Sequence, residues 1–186
     1  EVHDLIEPAV DAFPDTSFTL RQMYPAQLDA GVADGTVHLG LRRGVAPAGT
    51  LAAAVIGYHH VRVALPPGHR LSAARVIDMG ELAGERLALW APPGSSYFSD
   101  FLMGACRRAG FEPDYVVSRV QGADMVAAPL TTGAVALVSA PAGPAMGGRV
   151  NVVDLEPVLL APVQAIWQRH TVSEIRDMVV GAATPR

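Results

Sequence analysis

Residues 64–89 read ALPPGHRLSAARVIDMGELAGERLAL, and the punctuation of this stretch orders the rest of the chain. A short apolar run meets a Pro-Pro-Gly-His turn at 66–69, where proline presets φ and glycine supplies the backbone freedom of a tight turn. A small-residue stretch, the Glu81-Leu82 pair and a second apolar run follow. Upstream, residues 51–65 are mostly apolar but broken by Gly57, Tyr58, His59 and His60. That is long for one strand, so the segment is read as two strands joined by a crossing.

Downstream, Arg86–Trp90 reads as a strand and APPGSS at 91–96 as a loop feeding a helix that runs to Ala109. Phe98, Phe101, Leu102 and Ala105 lie inward on that helix, and Gly110 is its stop. Strands are expected at 115–120, 134–138, 150–155 and 163–168. A helix over 122–132 is interrupted by Pro129, and a closing helix passes through Val172, Ile175 and Val179. Towards the N-terminus, Val2, Leu5, Ile6, Ala9, Val10 and Phe13 fall at helical spacing up to Pro14-Asp15. Ser17–Met23 alternates as a strand, Ala26–Ala33 reads as a helix, and VHLGL at 37–41 as a short buried strand. Strands alternating with helices of these lengths predict an α/β fold with a parallel-type sheet covered on both faces.

With 186 residues, 50% hydrophobic and 17% charged, the chain is a folded globular sequence and not a disordered one. No apolar run reaches the roughly 18 residues of a membrane span. No basic-then-apolar leader opens it, which favours a cytoplasmic protein or a processed fragment. The balance of 14 basic against 18 acidic residues, without a basic cluster, argues against DNA binding by this chain alone. Every basic residue is arginine, so Schiff-base chemistry, pyridoxal-phosphate attachment and a phosphate-loop lysine are excluded. The single Cys106 can form neither an internal disulfide nor a cysteine-based zinc cluster, and reads as a buried, inert thiol.

Candidate binding residues gather at strand ends and helix starts, where open α/β sheets hold ligands. Arg42 and Arg43 follow the VHLGL strand; one could meet a carboxylate, or both could be a solvated pair. Gly94, Ser95 and Ser96 precede a helix whose free N–H groups suit an anion or polar head, although a serine there is equally an N-cap. Gln121 and Gly122 stand at the next helix start. His59 and His60 point to opposite strand faces, poor geometry for one metal, so neither a metal nor a cofactor is expected. PGSSYF lacks the second glycine of a nucleophile elbow and no G-x-G-x-x-G occurs, so no catalytic residues are assigned.

The motifs in order resemble the effector-binding domain of LysR-type transcriptional regulators over nearly the whole chain. AFPDTSFTL, LDAGVADGTVHLGL, HRLS at 69–72, LTTGAVALVSAP and VQAIWQRH each resemble a family segment. His38 replaces a usual aspartate, Arg70 a proline, and Ser139 stands near an expected proline. The family's first strand should precede the first helix, inside which this chain opens. The resemblance implies a two-lobed, type-2 periplasmic-binding-protein-like fold with mixed sheets flanked by helices. Lobe I would take 1–58 plus 160–186 and lobe II 59–159, with hinge crossovers near 57–60 and 155–160. It further implies a small-molecule effector between the lobes, with Tyr24, Pro25 and Ser139 among the ligand walls. The expected partners are that effector, a second copy of the chain, and DNA only through a helix-turn-helix domain absent from this chain; no membrane is expected. A solute-binding protein of the same fold serving a transporter is the alternative.

Overall fold

The computed structural model describes residues 2–120 and 124–183. In chain order it contains α1 (Val2–Ala12), α2 (Pro25–Asp34), β1 (Gly40–Arg43), β2 (Leu51–Leu65), β3 (Val76–Asp78), a 3-10 turn (Met79–Leu82), β4 (Leu87–Leu89) and α3 (Tyr97–Arg108). There follow β5 (Tyr115–Val117), a 3-10 turn (Met125–Ala127), α4 (Ala128–Thr132), β6 (Val135–Val138), β7 (Gly143–Ala145), β8 (Val150–Glu156), β9 (Leu159–Gln168) and α5 (Glu174–Ala183). Two compact units emerge: residues up to Tyr58 with those from Pro162 onward, and His59–Ala161. The chain passes from one to the other inside β2 and inside β9.

In the first unit, β1 runs antiparallel to β9, pairing Gly40 with Ile166 and Arg43 with Val163. Val32 of α2, Leu51 and Ile166 form one buried cluster. Ile56, Val163 and Ala165 form another, joined by Leu5 of α1 and Val180 of α5.

The second unit is a mixed sheet. β4 lies parallel to β5 and β6, while β2 runs antiparallel to β6 and β8. β3 is parallel and β7 antiparallel to β8. Strand alternation divides its apolar side chains between two faces. Val61, Val63, Leu65, Leu87, Leu89, Val135 and Leu137 pack with Leu102, Met103 and Cys106 of α3. Ala64, Ala88, Ala136 and Val138 meet Val126 and Ala128 on the other side.

Five sequence expectations are corrected. Segment 51–65 is one strand, because its residues beyond the glycine find partners on β6 and β8 without breaking direction. Ser17–Met23 forms no strand; its side chains are mostly exposed, so no buried face pins a register. The strand expected at 37–41 begins at Gly40 and includes both arginines. The sheet is parallel only around β4 and between β3 and β8. Among the described residues Pro129 does not interrupt a helix: it lies in the first turn of α4, where a missing N–H costs nothing, after a separate 3-10 turn.

Candidate functional site

In the second unit the most developed polar start is the loop from β4 to α3. Gly94 adopts φ 82°, a left-handed conformation natural to glycine, and its N–H donates to Asp100 Oδ1 at 2.7 Å. The Ser95 N–H donates to the Pro92 carbonyl, leaving the exposed Ser95 side chain outward. Ser96 is the N-cap of α3: its buried Oγ accepts from the Ser99 N–H at 3.4 Å. Ser99 Oγ in turn donates to the Ala91 carbonyl at 2.8 Å, tying the helix start to the strand end. Asp100 in the first turn already supplies negative charge to the helix N-terminus. Ser139 is half-buried just past β6. Gln121 and Gly122 lie outside the described residues.

In the first unit Tyr24 is the N-cap residue of α2 and Pro25 its first helical residue. The Gln27 side chain accepts from the Tyr24 N–H at 3.4 Å, and the Tyr24 side chain is exposed. Arg42 is buried and engaged on all three nitrogens. Nε donates to Gln164 Oε1 (2.8 Å), Nη1 to Asp29 Oδ1 (2.9 Å) and Nη2 to the Ala46 carbonyl (3.1 Å). The same Gln164 oxygen accepts from the Ala46 N–H. Arg42 therefore clips β1, β9, α2 and the loop after β1 together, and is not a solvated charge. Arg43, the last residue of β1, is half-buried.

One polar cluster in the second unit went unforeseen. Arg62 on β2 donates Nε to Asp154 Oδ1 at 2.6 Å, Nη1 to the Ala140 carbonyl at 3.2 Å, and Nη2 to His60 Nδ1 at 2.9 Å. The signal was present: Val61, Val63 and Leu65 take one strand face, so His60, Arg62 and Ala64 must share the other.

The family model of the LysR substrate binding domain matches residues 2–179. This chain belongs to that family. It is 27% identical over 168 residues to the uncharacterized HTH-type transcriptional regulator YnfL of Escherichia coli strain K12, a match over 85% of this chain and 54% of YnfL. The chain thus spans about half the length of that regulator. The LysR family transcriptional regulator CbnR has a similar fold at 17% identity and TM-score 0.80, covering 100% of this chain and 65% of CbnR. The BenM effector binding domain, solved with its effector benzoate, matches at 18% identity and TM-score 0.72 over 97% of this chain and 82% of that one.

In this LysR substrate binding domain the 66–72 turn is held by charge. His69 Nδ1 accepts from the Leu71 N–H, which leaves the proton on Nε2 to meet Glu85 Oε2 at 3.2 Å. Arg70 Nε donates to the other oxygen of Glu85 at 3.1 Å and Nη2 to the Glu81 carbonyl. Arg70 thereby fixes the turn without the rigidity of proline. Cys106 is buried against α3's sheet face. Burial, aided by Glu112, pushes its thiol up to about 11 against the lowering effects of its backbone hydrogen bond and Arg107. Among the described residues no helix is long and apolar enough to cross a membrane.

Proposed function

We propose that this chain is the effector-sensing part of a LysR-type regulator, binding a small molecule and not transforming it. The observation that carries this reading is the family match over residues 2–179. The effector's contacts are assigned to Tyr24, Pro25, Arg42, Arg43, Gly94, Ser95, Ser96, Gln121, Gly122 and Ser139. Arg42 is kept among them: Gln164, Asp29 and Ala46 take three of its five N–H groups. The regulator works in the cytoplasm as a homodimer, and a DNA-binding part elsewhere in the longer protein contacts the promoter. An effector changes that contact only through its difference in affinity for two states of the sensor.

A thermal-shift screen of small carboxylates, aromatics and amino acids tests the sensing reading. Benzoate belongs in the screen because the BenM domain was solved with it. A stabilising ligand is expected, and Ser95→Ala with Ser139→Ala should weaken its binding by roughly 1.5–3 kcal/mol if a charged group is lost from hydrogen bonding. Full affinity in the double variant moves the site away from these strand ends. For pairing, Ala30 is exposed on α2, and a two-fold contact would meet one substitution twice. Ala30→Arg is expected to move the sedimenting mass from dimer towards monomer with an unchanged circular-dichroism spectrum.

A further inference from the structure

Where β2 starts and β9 ends, the first unit holds a cavity of about 280 Å³. Ala33 and Leu51 give it apolar wall; Thr50 and the turn 168–171 supply the rest, and no acidic residue lines it. Its volume approaches the roughly 300–1,000 Å³ of small-molecule sites. Along β9 it lies about 20 Å from Val163, the partner of Arg43, so Arg42 and Arg43 serve a different place.

The turn 168–171 is exposed for most of its length yet tied down on three sides. Gln168 Nε2 donates to the Ala33 carbonyl at the end of α2, at 3.0 Å. Thr171 Oγ1 donates to the Gln168 carbonyl at 2.8 Å and accepts from Nη1 of the buried Arg176 on α5 at 3.0 Å. Arg169 Nη2 reaches the Leu51 carbonyl on β2 at 3.4 Å. Anchoring of this kind removes in advance part of the ordering cost that a ligand would otherwise meet. The donors it presents are open. Arg169 Nε and Nη1, both His170 ring nitrogens and the Thr50 hydroxyl have no hydrogen-bond partner among the described residues, and no carboxylate there holds Arg169.

We propose that this cavity is a second ligand site, which takes the phosphate group of a small phosphate monoester. A guanidinium offers donors and no acceptor, and with no acid in the lining an ammonium head finds no counter-charge. A carboxylate would be satisfied by the Arg169 fork alone, on two oxygens and one charge. A phosphate monoester carries about −1.5 to −2 charges and three acceptor oxygens at neutral pH. Arg169, His170 and Thr50 supply one donor group for each oxygen, and an imidazole keeps at least one N–H in either charge state. The apolar part of the ester then lies along Leu51 and Ala33. This site stands whether or not the effector contacts assigned above are right, because it shares no residue with them.

The test titrates this chain, in a phosphate-free buffer, with phenyl phosphate, glycerol 3-phosphate, benzoate, benzylamine and a short DNA duplex. Calorimetry gives the affinities, and NMR of the histidine rings gives the place. Phenyl phosphate should bind and move the His170 signals. Arg169→Gln should weaken it roughly ten- to a hundred-fold and His170→Ala by a smaller factor. Arg149→Gln removes an equally exposed arginine from the second unit and should leave the affinity unchanged. If Arg169→Gln fails to fold by circular dichroism, His170→Ala carries the comparison. Equal weakening by Arg149→Gln would mean that net charge alone attracts the anion, and overturns the site. So does phosphate binding that leaves the His170 signals unmoved, or no binding of either ester at millimolar concentration. Benzoate held as tightly as phenyl phosphate, with the same His170 shifts, overturns the ligand class. A duplex that binds more tightly than either ester overturns the small-molecule reading in favour of a nucleic-acid backbone.

Discussion

Cys106 is the only thiol in the chain and sits among Leu102, Met103, Leu87 and Val135 in the core of the second unit. With its pKa near 11 in the fold, the reactive thiolate is scarce at neutral pH. A disulfide reagent at pH 8 is expected to leave native protein unmodified and to react fully in denaturant. The same displacement sets a pH dependence. Between the unfolded pKa near 9 and the folded value near 11, the native state holds the proton that the unfolded state releases. Stability is therefore unaffected below about pH 9 and falls as pH rises through that window, by roughly 2–3 kcal/mol at its far end. Urea titrations at pH 8 and pH 11, compared with those of Cys106→Ala, isolate this contribution. Gly40 is a second position where one atom decides. A Cβ there would stand 2.8 Å from Ile166 Cγ1 and 3.1 Å from both Leu28 and Val32 side chains. Overpacking of that kind costs about 1–3 kcal/mol, so Gly40→Ala should lower the urea midpoint without removing the fold.

Neighbouring serines at the start of α3 have different work. Ser96 Oγ satisfies the Ser99 N–H, whereas the Ser95 side chain is exposed. Ser96→Ala should cost about 1 kcal/mol in urea denaturation and Ser95→Ala close to none. If Ser95→Ala alters ligand affinity at unchanged stability, the two functions of this loop separate cleanly. These elements were legible from sequence because their signals are local: the serine before an apolar-periodic run, glycine after it, and proline at a first helical turn. β2 was less so. A glycine, a tyrosine and two histidines resemble a break, yet the strand continues because its far half is held by β6 and β8, partners remote in sequence. Ser17–Met23 failed in the opposite way: it alternates as strands do, but its side chains are mostly exposed and no strand forms there. The site followed the same division. The Ser96 cap could be read from spacing, whereas the clamp that Arg42 makes could not, because Gln164 lies 122 residues away.

Across the described residues ion pairing governs charge, local at Arg107 and Arg176 and remote in sequence at Arg62. The formal balance is −4, and every cation apart from histidine is an arginine. Among the described residues, carboxylates hold Arg42 (Asp29), Arg62 (Asp154), Arg70 (Glu85), Arg107 (Glu112) and Arg176 (Asp177). An arginine so placed gives up its carboxylate before it can take a phosphate, which removes much of the gain from releasing counterions. Non-specific DNA binding arises almost wholly from that release and normally shows dissociation constants of roughly 10⁻⁴–10⁻⁶ M. This chain should fall at or beyond the weak end. In a gel-shift assay at about 100 mM salt, micromolar chain is expected to leave promoter DNA unretarded, with no change when a ligand from the thermal-shift screen is added. A longer protein containing this chain and a helix-turn-helix segment should retard the same DNA, and should respond to that ligand. Sequence-specific retention by the chain alone would mean that its arginines form a nucleic-acid surface despite their partners. The proposed separation of sensing from DNA contact would then be wrong for this chain.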